Sequence, residues 1–422
     1  MNYVLLLDVH SMYCSAEAIF RADLRNKPIA VGSNGDGIVV AANRAAKALG
    51  VKKFQSVASQ KYFFESGKCA LFSSNYTLYN ELSTRFVECL RNQDLLTRIE
   101  PYSIDEVFGT VPNFLTDYQD LLSVSRQLRR AVWDQVRLPI GIGCGRTFTL
   151  AKAASYIGKN VSGYRGICVT VKDSEPEHLS LVPLNEIWNI GKASTDFLKK
   201  QGINTALDLR KVDPKQGRMW LGVNLERTIR ELRGEKVYGM DSFPDINTRK
   251  EVSSAISLTV RAECERSLHQ ALSLRIAVAT EKMRKLGLSA KHMILFAQSS
   301  RFDPDYKSYQ VSIEFDYRTD DTRLFIKALT HSMKRLFHEG TSYYKIGCRL
   351  LGLEQVQYHQ QDLFAPPPAP KLMDAMDKLN EKYGFHVLTL GSVSVSNEAA
   401  MLRKHLSPSY LTDWKDLLRV KC

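Results

Sequence analysis

None of the eight cysteines falls in a C-x-x-C pair, which argues against a zinc module and a disulfide framework and leaves the thiols as reduced packing residues. No apolar run approaches the roughly 20 residues needed to cross a bilayer. The opening Tyr3-Val4-Leu5-Leu6-Leu7 is too short, and has no basic flank, for a signal peptide. No membrane partner is expected, and a cytoplasmic location follows. Nor is there a basic tail, although 58 Lys and Arg face 45 Asp and Glu for a net charge of +13. The excess is spread over the chain, which suits a protein lining a polyanionic track better than one carrying a localisation signal.

What is present is an ordinary globular composition, 44% apolar and 24% charged over 422 residues, enough for about three domains. Residues 1–160 alternate strand signals (near 3–8, 28–32, 37–42, 95–101, 106–111 and 139–144) with helix signals (near 11–20, 77–92, 118–136 and 147–158), the pattern of an α/β or α+β domain. Leu121, Val124, Leu128 and Val132 share one helix face. Residues 183–235 read as helical only. Strands near 251–259, 291–298, 307–317 and 344–352, with helices near 265–286 and 321–338, then give the split order β-α-β-β-α-β. Ala-Pro-Pro-Pro-Ala-Pro at 365–370 can continue neither a helix nor a central strand and reads as a stiff linker. In the tail beyond it, Met373, Met376 and Leu379 read as one apolar helix face.

The chemistry concentrates in carboxylates. Asp8 closes the strand Val4-Leu5-Leu6-Leu7, and Asp105-Glu106 falls where two extended segments meet about a hundred residues later. Ligands of open α/β sheets gather at the carboxyl ends of strands. Three acids brought together there repel one another, and a hard divalent cation such as magnesium relieves that repulsion. Taken alone, an Asp-Glu pair reads rather as solvated turn residues or helix caps; the rest of the chain reverses that reading.

Asp8-Val9-His10-Ser11-Met12-Tyr13, Tyr102-Ser103-Ile104-Asp105-Glu106, and Gly141-Ile142-Gly143 followed by Leu150-Ala151-Lys152 occur in the order found in the Y-family of translesion DNA polymerases, which the chain resembles end to end. Ala46-Lys47-Ala48-Leu49-Gly50-Val51, Ser74-Asn75-Tyr76-Thr77-Leu78-Tyr79, Leu406-Ser407-Pro408-Ser409-Tyr410 and Asp416-Leu417-Leu418-Arg419-Val420-Lys421 resemble its UmuC-type branch. The resemblance implies an α+β multidomain right-hand polymerase. Its palm would lie in residues 1–20 and 81–165, small fingers in 21–80, and a helical thumb with a helix-hairpin-helix-like element in 166–240. A βαββαβ little finger would occupy 241–355, a clamp motif with the Pro-rich linker 356–370, and a partner-binding tail 371–422.

It further implies that Asp8, Asp105 and Glu106, with the Val9 carbonyl, hold two Mg2+ ions, and that Tyr13 is a steric gate against the ribose 2′-hydroxyl. Arg44, Lys47 and Lys159 would face the dNTP triphosphate, although Arg44 stands where many relatives carry Tyr; Lys152 reads equally as structural. Asn189, Gly191 and Lys192 would hold a phosphate of primer-template DNA at a helix start, and Ser254 and Arg261, with neighbouring Arg266 and Arg275, would contact its backbone. Gln360, Leu363 and Phe364 resemble the peptide that docks on the beta sliding clamp, with Gln361 where an apolar residue is common. A processed UmuD dimer and a RecA filament are the other implied partners, in a nucleoid-associated complex. The implied activity is error-prone translesion synthesis in the SOS response. Two further readings stand beside it: a nucleotidyl cyclase or phosphohydrolase on a palm-like sheet, which has no use for the later domains, and a DNA-bound scaffold, which has no use for the intact acids.

Overall fold

In the computed structural model, which describes residues 2–242, 249–356, 370–383, 387–393, 403–411 and 413–417, the first apolar run becomes β1 (Val4–Val9). The chain continues through α1 (Met12–Ile19), β2 (Ile29–Gly32), β3 (Val39–Ala42), α2 (Arg44–Leu49), α3 (Lys61–Glu65), β4 (Ala70–Ser73) and α4 (Tyr76–Arg91). It then forms β5 (Arg98–Pro101), β6 (Glu106–Thr110), α5 (Tyr118–Val136), β7 (Ile140–Gly145), α6 (Phe148–Asn160) and β8 (Ile167–Val169). Strands β5-β6-β1-β7-β8 make one sheet with β1 at its centre, and β3-β2-β4 make a small second one. The short strands β4 and β8 are absent from the sequence reading. Each pairs in parallel, β4 with β2 and β8 with β7, so the partner that stabilises it is not the adjacent segment.

Strand alternation sorts the first sheet's two faces. Leu5, Leu7 and Val9 point into a core shared with Phe86, Leu90, Leu121, Val124, Leu128 and Val132 of α4 and α5. Val4 and Leu6 point the other way, against Phe108, Phe148 and Ala151. Asp8 follows Leu6 on that second face, toward α6. The first unit, Met1–Phe243 with Arg403–Cys422, also contains α7 (Glu175–Ser180), α8 (Lys192–Lys200), α9 (Ala206–Lys211), α10 (Pro214–Leu221) and α11 (Val223–Leu232). These close over a core of Leu184, Leu198, Leu209, Ile229 and Leu232.

The second unit, Pro244–Leu402, runs β9 (Glu251–Ala262), α12 (Glu265–Lys285), β10 (Leu288–Gln298), β11 (Ser308–Thr319), α13 (Thr322–Leu336), β12 (Tyr343–Leu351), β13 (Glu354–Gln355) and α14 (Pro370–Tyr383). Its sheet order is β11-β10-β12-β9, and the split β-α-β-β-α-β order is as expected. Arg284 holds α14 by a two-pronged bond to Asp377, 2.7 Å on each oxygen. The buried face of α14 is Met373, Met376 and Asn380, while Leu379, expected on it, is 42% exposed. Asn380 takes the place because both ends of its amide are satisfied by the backbone of Leu388. The residues read as one tail are thus divided, 371–402 with the second unit and 403–422 with the first.

The Gly141-Ile142-Gly143 motif acquires a packing reason. A Cβ on Gly143 would lie 2.1 Å from the Ser155 nitrogen and 2.3 Å from the Ala151 oxygen, so only glycine lets α6 lie this close on β7. Backbone at that distance cannot move aside without displacing the helix. We therefore expect Gly143→Ala to destabilise the chain by roughly 2–4 kcal/mol, seen as a clear drop in melting temperature. An unchanged melting temperature would contradict this packing.

Candidate active site

Antiparallel pairing puts Asp8 and Glu106 directly opposite each other on β1 and β6. The Val9 amide donates to the Asp105 carbonyl at 2.8 Å. The three acids, far apart in the chain, are thereby assembled at one end of the sheet. Their side chains are already engaged. Lys159 makes an ion pair with Asp8, Lys152 contacts both Glu106 oxygens at 3.0 and 3.1 Å, and the Ser103 hydroxyl donates to Asp105 at 2.6 Å. Among the described residues no three His, Cys, Asp or Glu side chains are arranged to hold a metal ion as they stand. The donor chemistry nevertheless suits a hard cation: oxygen donors only, in a pocket where ammonium groups now supply the positive charge.

Both lysines come from α6, and their i, i+7 spacing places them two turns apart on one stripe of the helix. The helix start is itself fixed: buried Glu231 accepts from the Thr149 amide, and its carbonyl accepts from the Thr147 hydroxyl. Lys152 is further enclosed by the rings of Tyr102, Trp188 and Phe108 at 4.5, 5.6 and 5.8 Å. This residue, equivocal in the sequence, belongs to the site. The signal that could have found it is its spacing from Lys159.

Burial is the largest influence on Asp8, pushing its carboxyl up to about 6 against the pull of Lys159, with Glu106 and Asp105 adding repulsion. His10 is driven down to about 4, by burial first and then by Lys159 and Arg129, and stays neutral at working pH. Tyr13 stacks on Tyr79 (centroids 4.5 Å, planes 14° apart) with Tyr76 edge-on at 5.7 Å. Its ring remains partly exposed. Arg44 and Lys47 project, exposed, from the short helix α2, whose N-cap Asn43 accepts from the Ala46 amide at 2.8 Å.

The outlying residues behave differently. Asn189 takes a left-handed φ of 67°. Gly191 caps α8 without a side-chain bond, so the helix opens on unsatisfied amides beside exposed Lys192. Ser254, expected to touch DNA, is only 9% exposed. Alternation along β9 turns residues 252, 254, 258 and 262 inward and leaves Ser253, Ser257, Thr259 and Arg261 on the open face. There Ser257 and Ser253 pair in register with exposed Lys345 and Arg349 of β12, basic residues the sequence reading passed over. Arg261 is tied to Asp303 by two bonds of 2.8 and 3.0 Å, and Arg275 is buried within α12. Gln360, Leu363 and Phe364 lie outside the described residues.

The impB/mucB/samB family matches residues 7–156, its C-terminal domain matches 249–363, and a domain of unknown function, DUF4113, matches 370–420. The chain is 34% identical to Protein MucB of Salmonella typhimurium over 98% of both chains. It is 33% identical to Protein UmuC of the same species over 99% of both, and 26% identical to DNA polymerase IV 1 of Bacillus subtilis over 97% of both. Among solved structures it has the fold of a Y-family DNA polymerase chimera, Dbh-Dpo4(243-245)-Dbh, with a TM-score of 0.67 at 17% identity, covering 83% of this chain and 98% of that one.

The buried Asp8 gives a pH test. Its carboxyl holds a proton up to about 6 in the folded chain, against an ordinary value of 3.8. Between those values the folded state binds more protons than the unfolded one, so stability falls as pH rises through that window and levels off above it. In metal-free buffer, Asp8→Asn is expected to raise stability by on the order of 1–2 kcal/mol above pH 6, less than the carboxyl alone would give because Lys159 loses its counter-charge. The gain should vanish toward pH 4, as read by melting temperature across pH. A gain that persists at low pH would contradict the assignment.

Proposed function

The chain belongs to the impB/mucB/samB family, and on that premise we propose that it is an error-prone, template-directed DNA polymerase of the Y-family, performing translesion synthesis in the SOS DNA-damage response. The observation that carries this reading is the set of acids at one end of the sheet, Asp8 opposite Glu106 with Asp105 bonded through its carbonyl to Val9, in a chain that aligns end to end with MucB and UmuC.

Asp8, Asp105 and Glu106, with the Val9 carbonyl, would hold two Mg2+ ions, which when bound lower the pKa of the primer 3′-hydroxyl and neutralise the departing pyrophosphate. The chain's own residues do the rest. Lys159 and Lys152 keep the acids neutralised before substrate arrives, and Lys159 and Lys47, as point charges, then face the triphosphate with the Arg44 guanidinium. Tyr13 would lie under the incoming sugar, where a 2′-hydroxyl collides with its ring. The segment between α1 and α4 offers three four-residue strands, the short helices α2 and α3, and two single 3-10 turns at Ala22–Leu24 and Ala58–Gln60. So small a fingers segment has little surface with which to close on a nascent pair, and weak discrimination follows.

Backbone contacts would come from Asn189, Gly191 and Lys192 at α8, and from the open face of the second unit's sheet at Ser253, Ser257, Lys345 and Arg349. These contacts grip phosphate and read no bases, as synthesis on damaged template requires. The processed UmuD dimer, the RecA filament and the beta sliding clamp complete the reading as partners.

Asp105→Asn is expected to abolish primer extension while leaving primer-template affinity within about twofold, since a lost metal ligand removes transition-state stabilisation and not phosphate contacts. Retained extension would overturn the metal assignment. Lys345→Ala with Arg349→Ala should weaken binding of every DNA sequence alike and reduce the slope of log affinity against log salt by roughly 2. An unchanged slope would move the DNA track elsewhere.

A further inference from the structure

Residues 403–411 fall within the stretch that matches a domain of unknown function, and they are built into the first unit against α1 and the start of α4. The Ser73 amide donates to the His405 carbonyl at 2.9 Å, and the His405 amide donates back to the Ser73 hydroxyl at 3.0 Å. Tyr410 stacks on Phe20 at the end of α1, centroids 4.6 Å and planes 17° apart. Between these two attachments Ser407 is 5% exposed. Its hydroxyl donates to Glu17 Oε1 at 3.2 Å and accepts from Asn75 Nδ2 at 3.0 Å. Asn75 is also the N-cap of α4, accepting from the Leu78 amide.

Glu17 is fully buried, and the same Oε1 accepts from the Tyr79 hydroxyl at 2.6 Å. A buried carboxylate needs such donors, and in low dielectric they hold it and each other in one geometry. Tyr79 is the ring on which Tyr13 lies stacked. Glu17 stands one helical turn from Tyr13 on α1, so its donors set both the helix face that carries Tyr13 and the ring that supports it from behind.

We infer that the C-terminal segment around Ser407 is a positioning element for sugar selection: through Glu17 and Tyr79 it fixes the height of the Tyr13 ring. This deepens the proposed function and rests on Tyr13 being the gate. It gives the two motifs Ser74–Tyr79 and Leu406–Tyr410, 332 residues apart at the Asn75–Ser407 bond, a shared purpose. A segment ordered only for its own fold would have no reason to bond the very carboxyl oxygen that the gate's supporting tyrosine uses.

The test uses the full-length chain in primer extension, comparing incorporation of ribonucleotides and deoxyribonucleotides opposite the same template base. Ser407→Ala should raise the ribonucleotide-to-deoxyribonucleotide ratio by roughly three- to tenfold, the scale of one ordinary lost hydrogen bond, and Ser407→Thr should restore it. Tyr13→Ala is the reference and should raise the ratio further. If Tyr13→Ala raises it and a folded Ser407→Ala does not, the positioning inference is overturned while the gate stands. If Tyr13→Ala leaves it unchanged, the gate reading fails and takes the inference with it. Should Ser407→Ala fail to fold, Ser407→Cys weakens the same bond to Glu17 while nearly keeping the shape of the side chain. A raised ratio then supports the inference, and an unchanged one overturns it.

Discussion

Carboxylates gathered at one end of a sheet and partly shielded from water must find positive charge, and much of the first unit is arranged around that requirement. The positive charge comes from one helix. Lys152 and Lys159 reach Glu106 and Asp8 because α6 lies closer on β7 than any side chain would permit, and Gly143 is the residue that permits it. A glycine in a strand weakens the strand; here the gain is a short, rigid path from helix to acids. Even so, burial leaves Asp8 with a carboxyl raised to about 6, because one ammonium does not fully offset the loss of water around that charge.

A second buried acid joins α1 to α4. Oε1 of Glu17 accepts from hydroxyls of α4 and of the C-terminal segment, while its buried Oε2 has no hydrogen-bond partner among the described residues, and the Tyr79 that donates to Oε1 is the ring on which Tyr13 stacks. The acids at the sheet end and the Tyr13 ring are thus held by different groups, the acids by lysines of α6, the ring through a tyrosine that shares its carboxyl partner with the far end of the chain. Six of the seven described cysteines are buried packing residues, and among the described residues no helix is long and apolar enough to cross a membrane.

Long strand and helix segments were legible because their periodicity is local: the buried face of α5 was read residue by residue, and so was the split order of the second unit. The acids were legible as a set because strand ends and motif order announce them. Ser254 was placed on the wrong face, since a run of Ser253, Ser254 and Ser257 carries no clear alternation and only pairing with β12 decides which hydroxyls look out. Lys152 was equivocal because a lysine's partner cannot be seen from its own neighbours.

By itself, the sequence determined which residues are available for chemistry and in what order: three acids at predicted strand ends, a diffuse positive charge, and motifs whose order resembles one polymerase family. What tertiary structure alone decided is which charges meet. That Lys159 falls on Asp8, that Lys345 and Arg349 line the open sheet face, and that Ser407 closes on Glu17 across 390 residues depend on register and helix placement. Those are set by packing over the whole unit, and no local pattern encodes them.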